Sequence, residues 1–147
     1  MEKGSINEIQ DQIIDEFSLL DGDMEMANIY LMELGQKLPE LDEAHKIDDN
    51  LVKGCQSKVW LKTHFDDGRI IYQADSNTAI TKGLVSLLVR ILSDQQAEDI
   101  INADLYFIDK IGMNRFIGTQ RSNGFGAMIK QMKLFAVAYN TKMKNQT

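Results

Sequence analysis

The sequence predicts an α+β fold, a small antiparallel β-sheet packed against helices, in one domain spanning residues 1–147. Three observations carry that expectation. Apolar residues recur at helical spacing near both ends of the chain. One central stretch alternates strictly and doubles back through Asp66-Asp67-Gly68. The order helices, hairpin, helices lacks the repeated strand–helix–strand units of a parallel sheet.

Each element has a local cause. Ser5 followed by Glu8 forms a capping box, opening a helix whose Ile9, Ile13, Phe17 and Leu20 share a face until Gly22 stops it. Asp23 caps a second helix carrying Met26, Ile29, Tyr30 and Leu34 inward, closed by Gly35 and Pro39. Residues 40–54 lose all periodicity and read as an irregular polar segment. From Ser57 to Phe65, Val59, Leu61, Thr63 and Phe65 alternate with polar neighbours. Gly68 supplies the positive φ of a tight turn, and Arg69 to Ala74 returns. A two-stranded ribbon is marginal alone, so it packs on helices; whether a third strand joins it stays open, since the pattern places none.

Asp75 to Thr78 is a cluster of helix-starting residues before the apolar stripe Ile80, Leu84, Leu87, Leu88 and Ile91. Ser93 with Gln96 reads as another capping box for a short helix through Ile100. Between Asn102 and Gln120 only Leu105, Phe107 and Ile108 stand out as core candidates. Ser122 is the expected cap of the last helix, with Phe125, Met128, Ile129, Met132, Ala136 and Tyr139 inward.

Composition narrows the function classes. The 147 residues carry a formal net charge of −6, unevenly spread. Residues 1–50 hold fourteen acids against three lysines, and the remainder eight acids against thirteen basic residues. That asymmetry reads first as an acidic helical surface, and second as an acidic face beside a mildly basic one that would steer a protein partner. No dense Lys/Arg stripe exists, which argues against nucleic acid. The N-terminal sixteen residues are too charged for a signal peptide, and the most apolar window, Gly83 to Leu92, is too short to span a membrane. A single cysteine cannot form an internal disulfide, so a reducing, cytoplasmic setting is expected.

That cysteine is the candidate for chemistry. Cys55 follows Gly54, where the backbone can bend and leave the thiol unshielded, and Lys53 and Lys58 stand close enough in sequence to favour a thiolate. A lone cysteine is more often a small buried hydrophobe, and its loop-edge position is what points the other way. His45, in the irregular segment, or His64, on the polar phase of its strand, is a conceivable partner for Cys55 in a cysteine-nucleophile hydrolase, although no orienting third group can be named. A metal site lacks recognisable spacing, and Gly124 with Gly126 does not follow a strand as a phosphate loop would.

Gly54-Cys55-Gln56-Ser57-Lys58-Val59-Trp60 resembles the GCQS-x-VW signature of the SufE family of sulfur acceptors. Leu34-Gly35-Gln36-Lys37-Leu38-Pro39 is similar to that family's LGQ-K/R-LP segment. Asp75-Ser76, Lys82-Gly83-Leu84 and Arg121-Ser122-Asn123-Gly124 follow in the family's order. The chain departs from it in Gly118-Thr119-Gln120, where many members have Thr-Pro-Ser, and in Phe125, where Leu is usual.

The resemblance implies a SufE/IscU-like α+β fold and a carrier role. Cys55 would take persulfide sulfur from a SufS-type cysteine desulfurase, stimulate that enzyme, and hand sulfur on to iron–sulfur scaffold proteins. Pyridoxal phosphate would belong to the desulfurase, and this chain would need no cofactor or metal of its own. Gly54, Gln56, Ser57 and Arg121 would form the persulfide environment, with Lys58 and Asp75 at the partner interface. The family's cysteine loop shelters against an apolar pocket and extends to its partner. Whether the chain forms a homodimer stays open. The rival readings are the hydrolase, a non-catalytic protein-binding domain, and a cluster scaffold, which one cysteine serves poorly.

Overall fold

The computed structural model describes residues 3–145. Helix α1 (Ile6–Ser18) opens with the expected capping box: Ser5 Oγ accepts from the Glu8 N–H while the Glu8 carboxylate takes the Ser5 N–H. Helix α2 (Met24–Gln36) starts at Asp23, whose carboxylate accepts from the Met26 N–H. Two 3-10 turns, Glu43–His45 and Asp48–Asn50, carry the chain to the sheet.

Strands β1 (Val59–Asp66) and β2 (Arg69–Ser76) form the hairpin, paired from Val59 opposite Ser76 to Asp66 opposite Arg69. Asp67 and Gly68 both have positive φ, 51° and 81°, as a two-residue turn matched to strand twist requires. Helix α3 (Ala79–Leu92) crosses behind the sheet. The missing third strand is β3 (Gln95–Gln96), antiparallel to the start of β2, so the sheet order is β1-β2-β3. Short helices α4 (Ala97–Ile101), α5 (Phe107–Lys110) and α6 (Met113–Ile117) lead to the long α7 (Thr119–Asn145). No helix among the described residues is long and apolar enough to cross a membrane.

The core collects where α3 meets everything else. Leu84, Leu87, Leu88, Ile91 and Leu92 of α3 are buried with Ile13, Leu31, Ile70, Ile100 and Phe107. The crossing of α2 and α3 is closest at Gly83, where a Cβ would lie 2.1 Å from the Leu31 carbonyl oxygen. Helix α7 is tied to the sheet by Tyr72, whose hydroxyl donates to the Met132 carbonyl at 2.7 Å. Phe125, Met128, Met132 and Ala136 form its buried face.

Four local expectations are corrected. The buried face of α2 is Ala27, Leu31 and Gly35, while Met26 and Ile29 are 45% and 38% exposed. Gly35 does not end the helix; it is the residue that lets α2 approach α3, since a Cβ there would meet the Gly83 nitrogen at 2.7 Å. Ser93 caps no helix, because its hydroxyl instead accepts the buried Tyr72 N–H at 2.9 Å and Asp94 turns into β3. Helix α7 starts at Thr119, three residues before Ser122, since Gly118 with φ 84° makes the bend and its carbonyl accepts the Ser122 N–H.

Candidate functional site

Cys55 lies on a short loop between two well-held chain positions. On one side Val52 donates its N–H to the Val59 carbonyl at 2.8 Å, and Leu51 bridges Trp60. On the other, the Lys58 N–H donates to Asn77 Oδ1 at 2.9 Å, and Ser57 Oγ lies 2.8 Å from Thr78 Oγ1. Gly54 takes φ 95°, a conformation L side chains avoid, and a Cβ on it would reach Ala127 at 3.2 Å. The glycine is there for both reasons.

The thiol turns inward. Cys55 is half-buried, and Sγ donates to the Gly124 carbonyl of α7 at 3.4 Å. Glycine at 124 leaves room for it: a Cβ there would lie 3.5 Å from Sγ. Burial pushes the thiol pKa above its ordinary value, because the charged form loses hydration. The expected help from Lys53 and Lys58 is absent, since both side chains are exposed and neither acts on the sulfur. In this resting geometry Cys55 is a neutral, poorly nucleophilic thiol.

Beside it opens a cleft of about 360 Å³ between the start of α3 and the start of α7. Met32, Ile80, Leu84 and Met128 give an apolar, polarisable wall. Gln56, Ser57, Thr78, Gln120 and Arg121 give the polar one. Of the residues that the resemblance groups around the sulfur, Cys55, Gln56, Ser57 and Arg121 line this cleft, while Gly54 packs toward Ala127 beside it. Arg121 is exposed, and its guanidinium donates to the Ile117 carbonyl at 3.2 Å rather than to the cysteine loop. Met32, Thr81 and Gly124 escaped attention as site residues. The small pair Gly124 and Ala127, one helical turn apart, was the readable signal that α7 leaves a face open to a loop.

Asp75 is corrected. Expected at a partner surface, it is 2% exposed and points inward. Burial alone would raise its pKa, but N–H groups of Ser76 and Leu41 and the ammonium groups of Lys82 and Lys46 outweigh that and hold it below the usual value. Lys46 and Lys82 lie 3.5 and 3.4 Å from its oxygens. Asp75 therefore moors the segment leading to the cysteine loop. Lys58 is exposed near the cleft, as a partner contact requires.

His45 does not pair with Cys55. Its ring lies against Lys62, with Nε2 3.0 Å from Nζ, and it takes no part in the cleft. His64 is exposed on β1. Among the described residues, no group of three or more His, Cys, Asp or Glu side chains comes together.

The comparisons with known proteins agree with one another. A family model described as "SufE: Fe-S metabolism associated domain" matches residues 11–136. An uncharacterized SufE-like protein of Rhizobium meliloti is 38% identical over 128 residues, covering 84% of this chain and 91% of that one. The SufE-like protein 1, chloroplastic/mitochondrial, of Arabidopsis thaliana is 36% identical over 113 residues, 76% of this chain and 30% of the plant protein. The solution structure of a hypothetical protein from Thermus thermophilus shares the fold with a TM-score of 0.74 at 18% identity, covering 90% of this chain and 96% of the other.

Proposed function

The chain belongs to the SufE family of iron–sulfur metabolism domains, and from that premise we propose that Cys55 accepts sulfur from the persulfide of a SufS-type cysteine desulfurase. It then passes the sulfur to an iron–sulfur scaffold protein. The observation that carries this reading is a single thiol, half-buried on a short loop, hydrogen-bonded to a helix carbonyl at the mouth of a partly apolar cleft.

The step balances without an added oxidant or reductant. The Cys55 thiolate attacks the outer sulfur of the donor persulfide, a new S–S bond forms at Cys55, and the donor's inner sulfur leaves as thiolate. The proton on the outer sulfur travels with it or equilibrates with solvent. Such exchange needs an attacking thiol with pKa near ambient pH and an open approach along the S–S axis. Neither condition holds at rest. Swinging the loop out meets both at once: the thiol leaves the Gly124 carbonyl, regains water, and its pKa falls back toward that of an ordinary thiol. Stimulation of the desulfurase follows, because removing the sulfur frees that enzyme's cysteine for another cycle.

On return, a loaded Cys55 would lay its outer sulfur toward Met32, Leu84 and Met128, away from soluble thiols that would reduce it. Arg121 and Gln56 line the opening, and with the exposed Lys58 next to Ser57 they form the face offered to the desulfurase. The hydrolase reading gains nothing from the site, where the sulfur's hydrogen-bond partner is a backbone carbonyl and not an imidazole.

The test is intact mass after incubation with a SufS-type desulfurase and cysteine, without reductant. A gain of one sulfur on the wild type, mapped to Cys55 and missing from Cys55→Ser, is expected. No gain with a partner shown to be active would overturn the reading.

A further inference from the structure

Charge is segregated along this fold. Residues 4–36, which hold α1 and α2, carry eight acids and no lysine or arginine. Helix α7 carries Arg121, Lys130, Lys133, Lys142 and Lys144 and no acid. Each of these two surfaces also shows apolar side chains that the core does not use. On the exposed side of α2, Met26 and Ile29 stand one turn apart, and the exposed Glu33 follows a turn later on the same stripe. On α7, Leu134 and Val137 are 49% and 43% exposed, again one turn apart, with the exposed Lys130 a turn before them. Among the described residues, neither Glu33 nor Lys130 has an ion-pair partner. None of these stripe residues lines the Cys55 cleft.

We propose that α7 of one molecule docks antiparallel on α2 of a second copy of this chain, seating Leu134 on Ile29, Val137 on Met26 and Lys130 beside Glu33. The spacing fits. Read backward along α2, Glu33, Ile29 and Met26 lie four and three residues apart; read forward along α7, Lys130, Leu134 and Val137 do the same. Two helices running in opposite directions therefore bring all three pairs into line at once, apolar on apolar and acid beside base. The occupant is a second copy because the chain itself supplies both complements, an acidic α2 and a basic α7. Methionine at position 26 suits such a contact, since its flexible thioether adapts to a neighbour's shape. The two faces differ, so the contact is head-to-tail: a dimer keeps one free α2 and one free α7, and the assembly can grow. A single helix pair buries less than about 1,200 Å², which places it in the weak, reversible class. Two molecules of net charge −6 repel at a distance, but at physiological salt a screening length of about 8 Å removes that repulsion and spares groups in contact. The contact stands whether or not Cys55 carries sulfur.

Light scattering of the full chain at about 0.15 M salt reads the association, in reductant so that no disulfide through Cys55 contributes. Raising the concentration to about 1 mM should lift the average mass at least about 1.5-fold above 16.7 kDa. Ile29→Asp and Leu134→Asp each remove one face, and each should hold the mass at 16.7 kDa. Mixed in equal amounts, the two variants should form dimers and nothing larger, because each pair retains one intact α2 and one intact α7. Both positions are exposed, so the variants should keep the wild-type circular dichroism. If either unfolds, Glu33→Lys and Lys130→Glu replace them: each alone should weaken association, and both in one chain should restore it. A wild type that stays monomeric at that concentration would overturn the contact and leave α2 to another protein with a basic helix. Association that survives both Asp substitutions, or a mixture that stays monomeric, would overturn it in favour of a different face between copies.

Discussion

Cys55 Sγ hydrogen-bonds the carbonyl of Gly124, 69 residues further along the chain, at 3.4 Å. That contact joins the cysteine loop to the first turns of α7, and the burial that comes with it favours the protonated thiol. It also makes the resting reactivity of Cys55 a measure of how firmly the loop is seated. The rate of alkylation should therefore rise with pH to a midpoint above the ordinary thiol value of about 8.5. The direction follows from burial, and stopped alkylation followed by mass spectrometry across pH 6–11 checks it. A midpoint below the ordinary value would mean that the loop stands open at rest.

A larger side chain at 124 should unseat the thiol. The Cβ of a Gly124→Ala variant would lie at ordinary contact distance from Cys55, so this variant should fold and gain about 0.5–1 kcal/mol from helix propensity. Gly124→Leu would fill the space the thiol occupies. Its Cys55 should alkylate several-fold faster, with a midpoint lower than that of the wild type, while helical circular dichroism stays at the wild-type level.

The α2–α3 crossing depends on backbone contact at Gly83. Gly83→Ala would drive a methyl group into the Leu31 carbonyl, forcing the helices apart and opening the core around Leu31 and Leu84. Overpacking of this kind costs about 1–3 kcal/mol, or more where backbone must move. Urea unfolding should show it as a lower midpoint. Because Met32 and Leu84 line the cleft, Cys55 alkylation should change in the same variant.

Acid should weaken the fold through two carboxylates. Asp75 and Glu16 both have lowered pKa values, Asp75 despite its burial and Glu16 chiefly through the Arg90 hydrogen bonds. Between the folded and unfolded values the unfolded chain binds more protons, so stability rises with pH there. Their contribution is complete above the unfolded carboxylate value of about 4 and is lost as pH falls through the lower folded values. Unfolding free energy measured between pH 2.5 and 6 should show that slope, and Asp75→Asn with Glu16→Gln should flatten it.

Much of the fold was legible because its causes are local. The caps at Ser5 and Asp23 need only the next three residues, and the hairpin needs only alternation and an Asp-Gly turn. The face of α2 was misjudged because two apolar stripes were available. The one buried was chosen by glycine-to-glycine approach with α3, some fifty residues away. Strand β3 is two residues long and exists through pairing with Arg69 and Ile70, which no window of sequence contains. Asp75 read as a surface carboxylate because the partners that admit it to the interior, Lys46, Lys82 and the Leu41 N–H, are scattered along the chain.

The sequence by itself determined the chemical identity of the site: one thiol, beside the glycine its backbone requires, in a motif whose residues do not depend on their surroundings to be recognised. Only the tertiary structure decided the state of that thiol. Proximity in sequence brings Lys53 and Lys58 near Cys55 but does not turn their charges toward it, whereas packing sets Gly124 against its sulfur and removes its water. A pKa follows from what surrounds an atom in space, and for Cys55 that neighbour comes from the far end of the chain.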